Sequence, residues 1–146
     1  MNHAVVIDAN ILFKLVIRED YSDQAQALYI ETLSSGTPIY VPPHWAAELT
    51  HALYRLIRRR LISEEEGDQA LGQFLQFPVQ IMGVSELYER AFVFARTHTV
   101  SAYDSLYVVL AEMLNTELWT DDRRLLNSLE QAAPWVRWIG DYPLDG

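Results

Sequence analysis

The chain has no cysteine, which removes disulfide bridges, a thiolate nucleophile and any Cys-based zinc or iron–sulfur site. Lysine is almost as scarce, with Lys14 standing alone among arginines. Basic residues number 11 against 20 acidic ones, a formal net charge of −9 at pH 7. Proteins that hold nucleic acid chiefly by counterion release carry the opposite balance. Any contact with nucleic acid is therefore local, or bridged by a cation. Although 50% of the residues are hydrophobic, no apolar run approaches the roughly 18 residues that a bilayer span needs. The opening MNHAVVID has no cationic stretch ahead of a long apolar one and does not read as a secretory signal. We read a cytoplasmic protein with no membrane partner. Gly-rich phosphate loops are missing too, since neither GxGxxG nor GxxxxGK[ST] occurs.

What the chain does contain is an alternation of short apolar runs with helical periodicity. No repeat, low-complexity tract or Ser/Gly linker interrupts it, so residues 1–146 are read as one domain. The continuous apolar run from Ala4 to Ile7 suits a parallel strand covered on both faces. Further strands are expected at 37–41, 79–82, 118–120 and 136–139. Helices are expected at about 10–18, 22–34 (capped by Ser22 or Asp23), 43–60, 63–76 (with a Ser63/Glu66 capping box), 85–97, 101–115 and 122–132. Strands alternating with helices predict an α/β sandwich around a mainly parallel sheet. Tyr88, Phe92, Phe94, Trp119, Trp135 and Trp138 are expected mostly in the core.

Four acidic positions stand out. Asp8 directly follows the first strand, and Asp121 with Asp122 directly follows LWT. Both places suit helix N-caps, and both lie where open α/β sheets bind ligands, at the carboxyl ends of strands. Glu48 shares a helical stripe with Trp45, Leu49, Ala52, Leu53, Leu56 and Ile57, so a carboxylate sits on an apolar face. Asp104 is the only formal charge between Arg96 and Glu112, in a segment that is otherwise apolar, aromatic or hydroxyl-bearing. Two unit charges about 4 Å apart repel by about 4 kcal/mol at an effective dielectric near 20. If these acids converge, something positive must balance them. Oxygen-only ligation without cysteine or a histidine cluster suits Mg2+ or Mn2+ rather than zinc.

Competing patterns are weaker. HWAAELTH puts His44, Glu48 and His51 on one helical face, but a di-iron bundle needs a second Glu-x-x-His and none exists. Asp8-Ala9-Asn10 lacks the second aspartate of a haloacid dehalogenase, and the lone lysine is misplaced for a response-regulator receiver. Arg55, Arg58, Arg59 and Arg60 close the Glu48 helix; they are either a solvated, dipole-favoured helix end or a patch for phosphates flanking the reacting one.

VVIDANILF, AAELTHAL, SAYDSLYVVLAE and LWTDDRRLLN, in this order and over nearly the whole chain, resemble a PIN domain, and specifically a VapC-type toxin of a toxin–antitoxin pair. The resemblance implies a PIN-like three-layer α/β/α sandwich. Carried over by position, the family's acidic quartet falls on Asp8, Glu48, Asp104 and Asp122, with Asn10 and Thr120 as polar helpers and Asp121 in the variable place. It implies a Mg2+-dependent endoribonuclease, a homodimer, and inhibition by a cognate VapB-like antitoxin. Under that reading Asp8, Asp104 and Asp122 hold one or two cations, Glu48 completes the shell or orients water, and Arg55, Arg58 and Arg59 meet RNA. Hydrolysis by cation-activated water would leave a 5′-phosphate and a 3′-hydroxyl. The alternative is a catalytically silent PIN module that binds a protein partner. A Mg2+-dependent phosphatase would need a nucleophile motif that the sequence lacks.

Overall fold

Val5, Val6 and Ile7 are all buried. A strand with no polar alternation cannot lie at a solvated surface, and this one takes the middle of the sheet. The computed structural model describes residues 3–145. In it, β1 (Val5–Ile7), β2 (Ile39–Val41), β3 (Val79–Ile81), β4 (Leu118–Thr120) and β5 (Val136–Trp138) form one sheet in the order β3-β2-β1-β4-β5. Every pairing is parallel, so the expected mainly parallel sheet is parallel throughout. Val6 pairs with Tyr40 on one side and with Leu118 on the other. The inner strands β1 and β4 are buried at every residue, which requires cover on both faces, whereas edge strand β3 leaves Ile81 60% exposed.

The helices are α1 (Ala9–Lys14), α2 (Ser22–Ser34), α3 (Trp45–Arg58), α4 (Glu64–Phe74), α5 (Ser85–His98), α6 (Ala102–Met113) and α7 (Arg123–Leu129). Their apolar faces close over the sheet: Ile11 and Leu12 from α1, Leu49 and Leu53 from α3, and Val108 to Ala111 from α6 are all buried. The Ser63/Glu66 capping box forms as expected at the start of α4.

Three local expectations are corrected. The first helix stops at Lys14 rather than near residue 18, because the Ser22 hydroxyl donates to the Lys14 carbonyl (3.0 Å) and takes a helix-terminal acceptor out of the ladder. Neither Ser22 nor Asp23 caps α2. Tyr21 is its N-cap, with φ 67° and no side-chain cap, while Ser22 faces back and Asp23 pairs with Arg18. Tyr88 and Phe92 are not core residues, being 45% and 63% exposed on α5; Trp119 is buried.

The strand order decides where a site can form. From β1 the chain winds outward through β2 and β3, then returns to lay β4 on the other side of β1. Their carboxyl ends therefore open a crevice at the point where the winding reverses. Asp8 leaves one side of that crevice and Thr120 to Asp122 leave the other.

Candidate active site

The β1 and β4 ends are joined side chain to side chain. Asp8 is the N-cap of α1: its Oδ1 accepts from the Asn10 amide at 3.1 Å and its Oδ2 from the Thr120 hydroxyl at 2.9 Å. Thr120 is fully buried, and its oxygen also accepts from Asn10 Nδ2 (3.3 Å) and the Asp122 amide (3.1 Å). One hydroxyl has one proton and two lone pairs, so Thr120 is saturated at the centre of the cluster. Asn10 closes the ring by accepting from the Asp121 amide (3.2 Å). The two residues expected as polar helpers thus bridge the two strand ends.

Asp122 caps α7, its Oδ1 accepting from the Leu125 amide at 3.0 Å. Asp104 lies in the first turn of α6, which Ser101 caps by accepting from the Asp104 amide at 3.0 Å. Glu48 lies in the first turn of α3. Each of the four acids is therefore at the start of a helix, where capping and the helix dipole favour an anion. The ordinary capping role and convergence on a cleft prove compatible. Asp8, Glu48, Asp104 and Asp122 all line one cavity of about 400 Å³, together with Asn10, Glu19, Arg55 and Arg59.

Their electrostatics reflect that crowding. Burial, reinforced by the negative charge of Glu48, pushes the Asp8 carboxyl up to about 8. Burial also raises Glu48, against a hydrogen bond from Tyr107, and raises Asp104, against one from Ser101. Asp8, Glu48 and Asp104 hold their protons more tightly than free carboxyls do. A positive charge placed among them would reverse that preference.

Among the described residues, no three His, Cys, Asp or Glu side chains stand close enough together to form a ready-made metal site. The donor chemistry still fits a hard cation: the cavity wall supplies carboxylate oxygens from four helix starts, without thiolate or free imidazole. Asp8, Asp104 and Asp122 are the residues able to hold one, with Glu48 on the same wall. Of the adjacent pair after β4, Asp122 lines the cavity, whereas Asp121 turns to an ion pair with Lys14 at 2.8 Å. Arg55 and Arg59 reach the cavity wall, and Arg58 is exposed and outside it.

One side chain at the site, Tyr107, escaped the sequence reading, and His44, which that reading placed only in a His44/Glu48/His51 set, packs beside it. Tyr107 is buried; its hydroxyl donates to Glu48 Oε1 at 2.7 Å and accepts from the Ala9 amide at 3.3 Å. The available signal was a hydroxyl one turn after Asp104 in an apolar helix, easily taken for core packing. His44 packs edge-on against Tyr107 with ring centroids 5.1 Å apart, and its Nε2 lies 3.4 Å from Glu48 Oε1. Burial holds its imidazole below the ordinary range, so it adds no firm positive charge. His51 is exposed and stacks on Tyr54, so the His44/Glu48/His51 set does not assemble.

A family model described as PIN domain matches residues 6–132. The chain is 30% identical over 123 residues to "Ribonuclease VapC3" of Pyrobaculum aerophilum, covering 83% of this chain and 91% of that one. It is 33% identical over 124 residues to "Ribonuclease VapC12" of Mycobacterium tuberculosis, covering 85% and 91%. Among solved structures, a toxin–antitoxin complex from Klebsiella pneumoniae contains a chain similar in fold, with TM-score 0.59 at 18% identity over 92% of this chain and 96% of that one.

Proposed function

Because this chain belongs to the PIN domain family, we propose that it is a Mg2+- or Mn2+-dependent endoribonuclease and the toxin of a VapBC-type pair, with the crevice between β1 and β4 as its active site. The observation that carries this is the gathering of Asp8, Glu48, Asp104 and Asp122 from four separate helix starts onto one cavity wall. The names of the VapC ribonucleases it resembles support the substrate class.

In this mechanism Asp8, Asp104 and Asp122 hold the cation. When bound, a hard divalent ion makes water a better nucleophile at neutral pH and offsets charge on the leaving oxygen. Thr120 and Asn10 keep the Asp8 oxygens oriented across the crevice. Tyr107 occupies Glu48 Oε1, and among the described residues no hydrogen bond is made to Oε2. That oxygen is left to orient the attacking water and accept its proton. Arg55 and Arg59 on the wall receive phosphates flanking the scissile one, giving an acidic chain a local basic contact. The reading includes a homodimer, which equilibrium sedimentation tests, and a cognate VapB-like antitoxin, which the Klebsiella complex supports by analogy.

The direct test is cleavage of a mixed cellular RNA pool by the purified chain in Mg2+, in EDTA, and with Asp8→Asn. Discrete cuts are expected in Mg2+ only, and Asp8→Asn lowers the rate on the order of a hundredfold or more. The absence of a ready-made three-ligand cluster among the described residues favours a second reading, a silent module that binds a protein partner. Asp104→Asn separates the two: cleavage lost in a folded chain supports the enzyme, and unchanged behaviour in a chain that never cuts RNA supports the module.

A further inference from the structure

Lys14 is the one lysine of the chain, and its side chain is only 3% exposed. A lysine ending a six-residue helix ordinarily extends into solvent. This one turns inward: its ammonium donates to Glu19 Oε1 at 2.9 Å and to the Asp20 carbonyl at 2.7 Å, and it forms an ion pair with Asp121 Oδ2 at 2.8 Å. Burying an ammonium is costly unless charge and hydrogen bonds compensate it, and here two carboxylates and a carbonyl surround it.

The position of Asp121 gives that pairing a consequence. Only Asp121 and Asp122 separate the end of β4 from the start of α7, so the two acids share one peptide unit and leave the chain in different directions. Asp121 is held from three sides: by Lys14, by Trp138 Nε1 donating to Oδ1 (3.3 Å), and by Asn10 Oδ1 accepting from its amide (3.2 Å). Whatever anchors Asp121 therefore sets where Asp122 and the Thr120 hydroxyl lie. The same ammonium also holds Glu19, a further carboxylate on the cavity wall. Without Lys14, two acids beside the cleft would lose their counter-charge, and Asp121 would keep only the Trp138 and Asn10 bonds.

We propose that Lys14, acting through Asp121, is a positioning residue that holds the β4–α7 turn so that Asp122 and Thr120 face Asp8; this rests on reading the crevice as a metal-dependent nuclease site. Lys14 touches no reacting atom in this role. It ties α1, which begins at the Asp8 cap, to the turn that carries the opposing ligand.

The test compares the full chain with Lys14→Met, Asp121→Asn and the double variant. Three quantities are read: Mn2+ affinity by calorimetry, amide hydrogen exchange at Asp121 and Asp122, and the division of any cleavage defect between kcat and KM. Each single variant is expected to weaken Mn2+ binding by about tenfold, the range of residues that orient metal ligands. Exchange is expected to accelerate at the Asp121 and Asp122 amides while the Leu118 amide, bonded to the Trp135 carbonyl, keeps its protection. The defect falls on kcat, with KM within about twofold, and the double variant is no worse than the weaker single.

Folded single variants that bind Mn2+ as the unaltered chain does overturn the proposal, as do additive losses in the double variant or protection lost equally at Leu118. If Lys14→Met fails to fold, Asp121→Asn carries the same readings with the ammonium in place. An unaltered chain that neither binds Mn2+ nor cuts RNA refutes the nuclease reading instead. The strut is then decided by exchange at Asp121 and Asp122 alone.

Discussion

Thr120 is a small side chain with a large share of the site. Its hydroxyl donates to Asp8 and accepts from Asn10 and the Asp122 amide, and it has no access to water. Thr120→Val keeps the shape and strands all three partners. Unmet buried groups cost roughly 1–3 kcal/mol each, so a loss of that order is expected in urea unfolding, together with weaker cation binding. Tyr107→Phe is a subtler change. It deletes the donor that holds Glu48 down against the upward push of burial, so the Glu48 carboxyl rises further. If ionised Glu48 is needed for cleavage, activity at pH 6 falls more than activity at pH 8, and the acid limb of the pH–rate profile moves upward. An unmoved limb would show that Glu48 ionisation does not limit the reaction. Asp8 and Asp122 were legible in the sequence because each follows a strand end, and Thr120 only through the family resemblance. Tyr107 was not, because its partner Glu48 lies in a different helix and nothing local distinguishes a bonded hydroxyl from a packed ring.

At the scale of elements, helix caps and the cleft are one construction. The Ser101 hydroxyl holds the Asp104 amide and shapes the first turn of α6. Ser101→Ala is expected to cost about 1 kcal/mol of stability. Because that hydroxyl also opposes the rise of the Asp104 carboxyl, the variant should bind Mn2+ more weakly at pH 6 than the unaltered chain. A stability loss with unchanged metal affinity would confine Ser101 to capping. Element order and type could be read in advance from apolar runs and cap residues such as Ser63. Boundaries moved where a distant side chain intervened, as when Ser22 bonded the Lys14 carbonyl and ended α1.

Across the whole molecule the buried acids make stability depend on pH in an unusual direction. Folded Asp8 keeps its proton up to about pH 8, while in the unfolded chain it is lost near 4. Between these limits the folded state binds more protons than the unfolded state, so cation-free stability falls as pH rises from about 4 to about 8. Glu48 and Asp104 act in the same sense. A divalent cation competes with those protons, so the rise in Tm on adding Mg2+ or Mn2+ should be larger at pH 8 than at pH 5. Melting curves in EDTA and in Mn2+ across this range test both statements, and a Tm in EDTA that climbs with pH would contradict the first.

The order of strands and helices, the fully buried inner strands and the acids at strand ends follow from the sequence alone. They depend on local periodicity, capping and the cost of exposing apolar runs. The partner of each acid does not follow from these. Lys14 meets Asp121 and Asp8 meets Thr120 only because the order β3-β2-β1-β4-β5 lays the last strands beside the first, and Tyr107 meets Glu48 because α6 packs on β1 and α3 on α1. Local pattern carries no record of that adjacency, so tertiary packing alone decided which carboxylate faces the cleft and which is drawn into a buried ion pair.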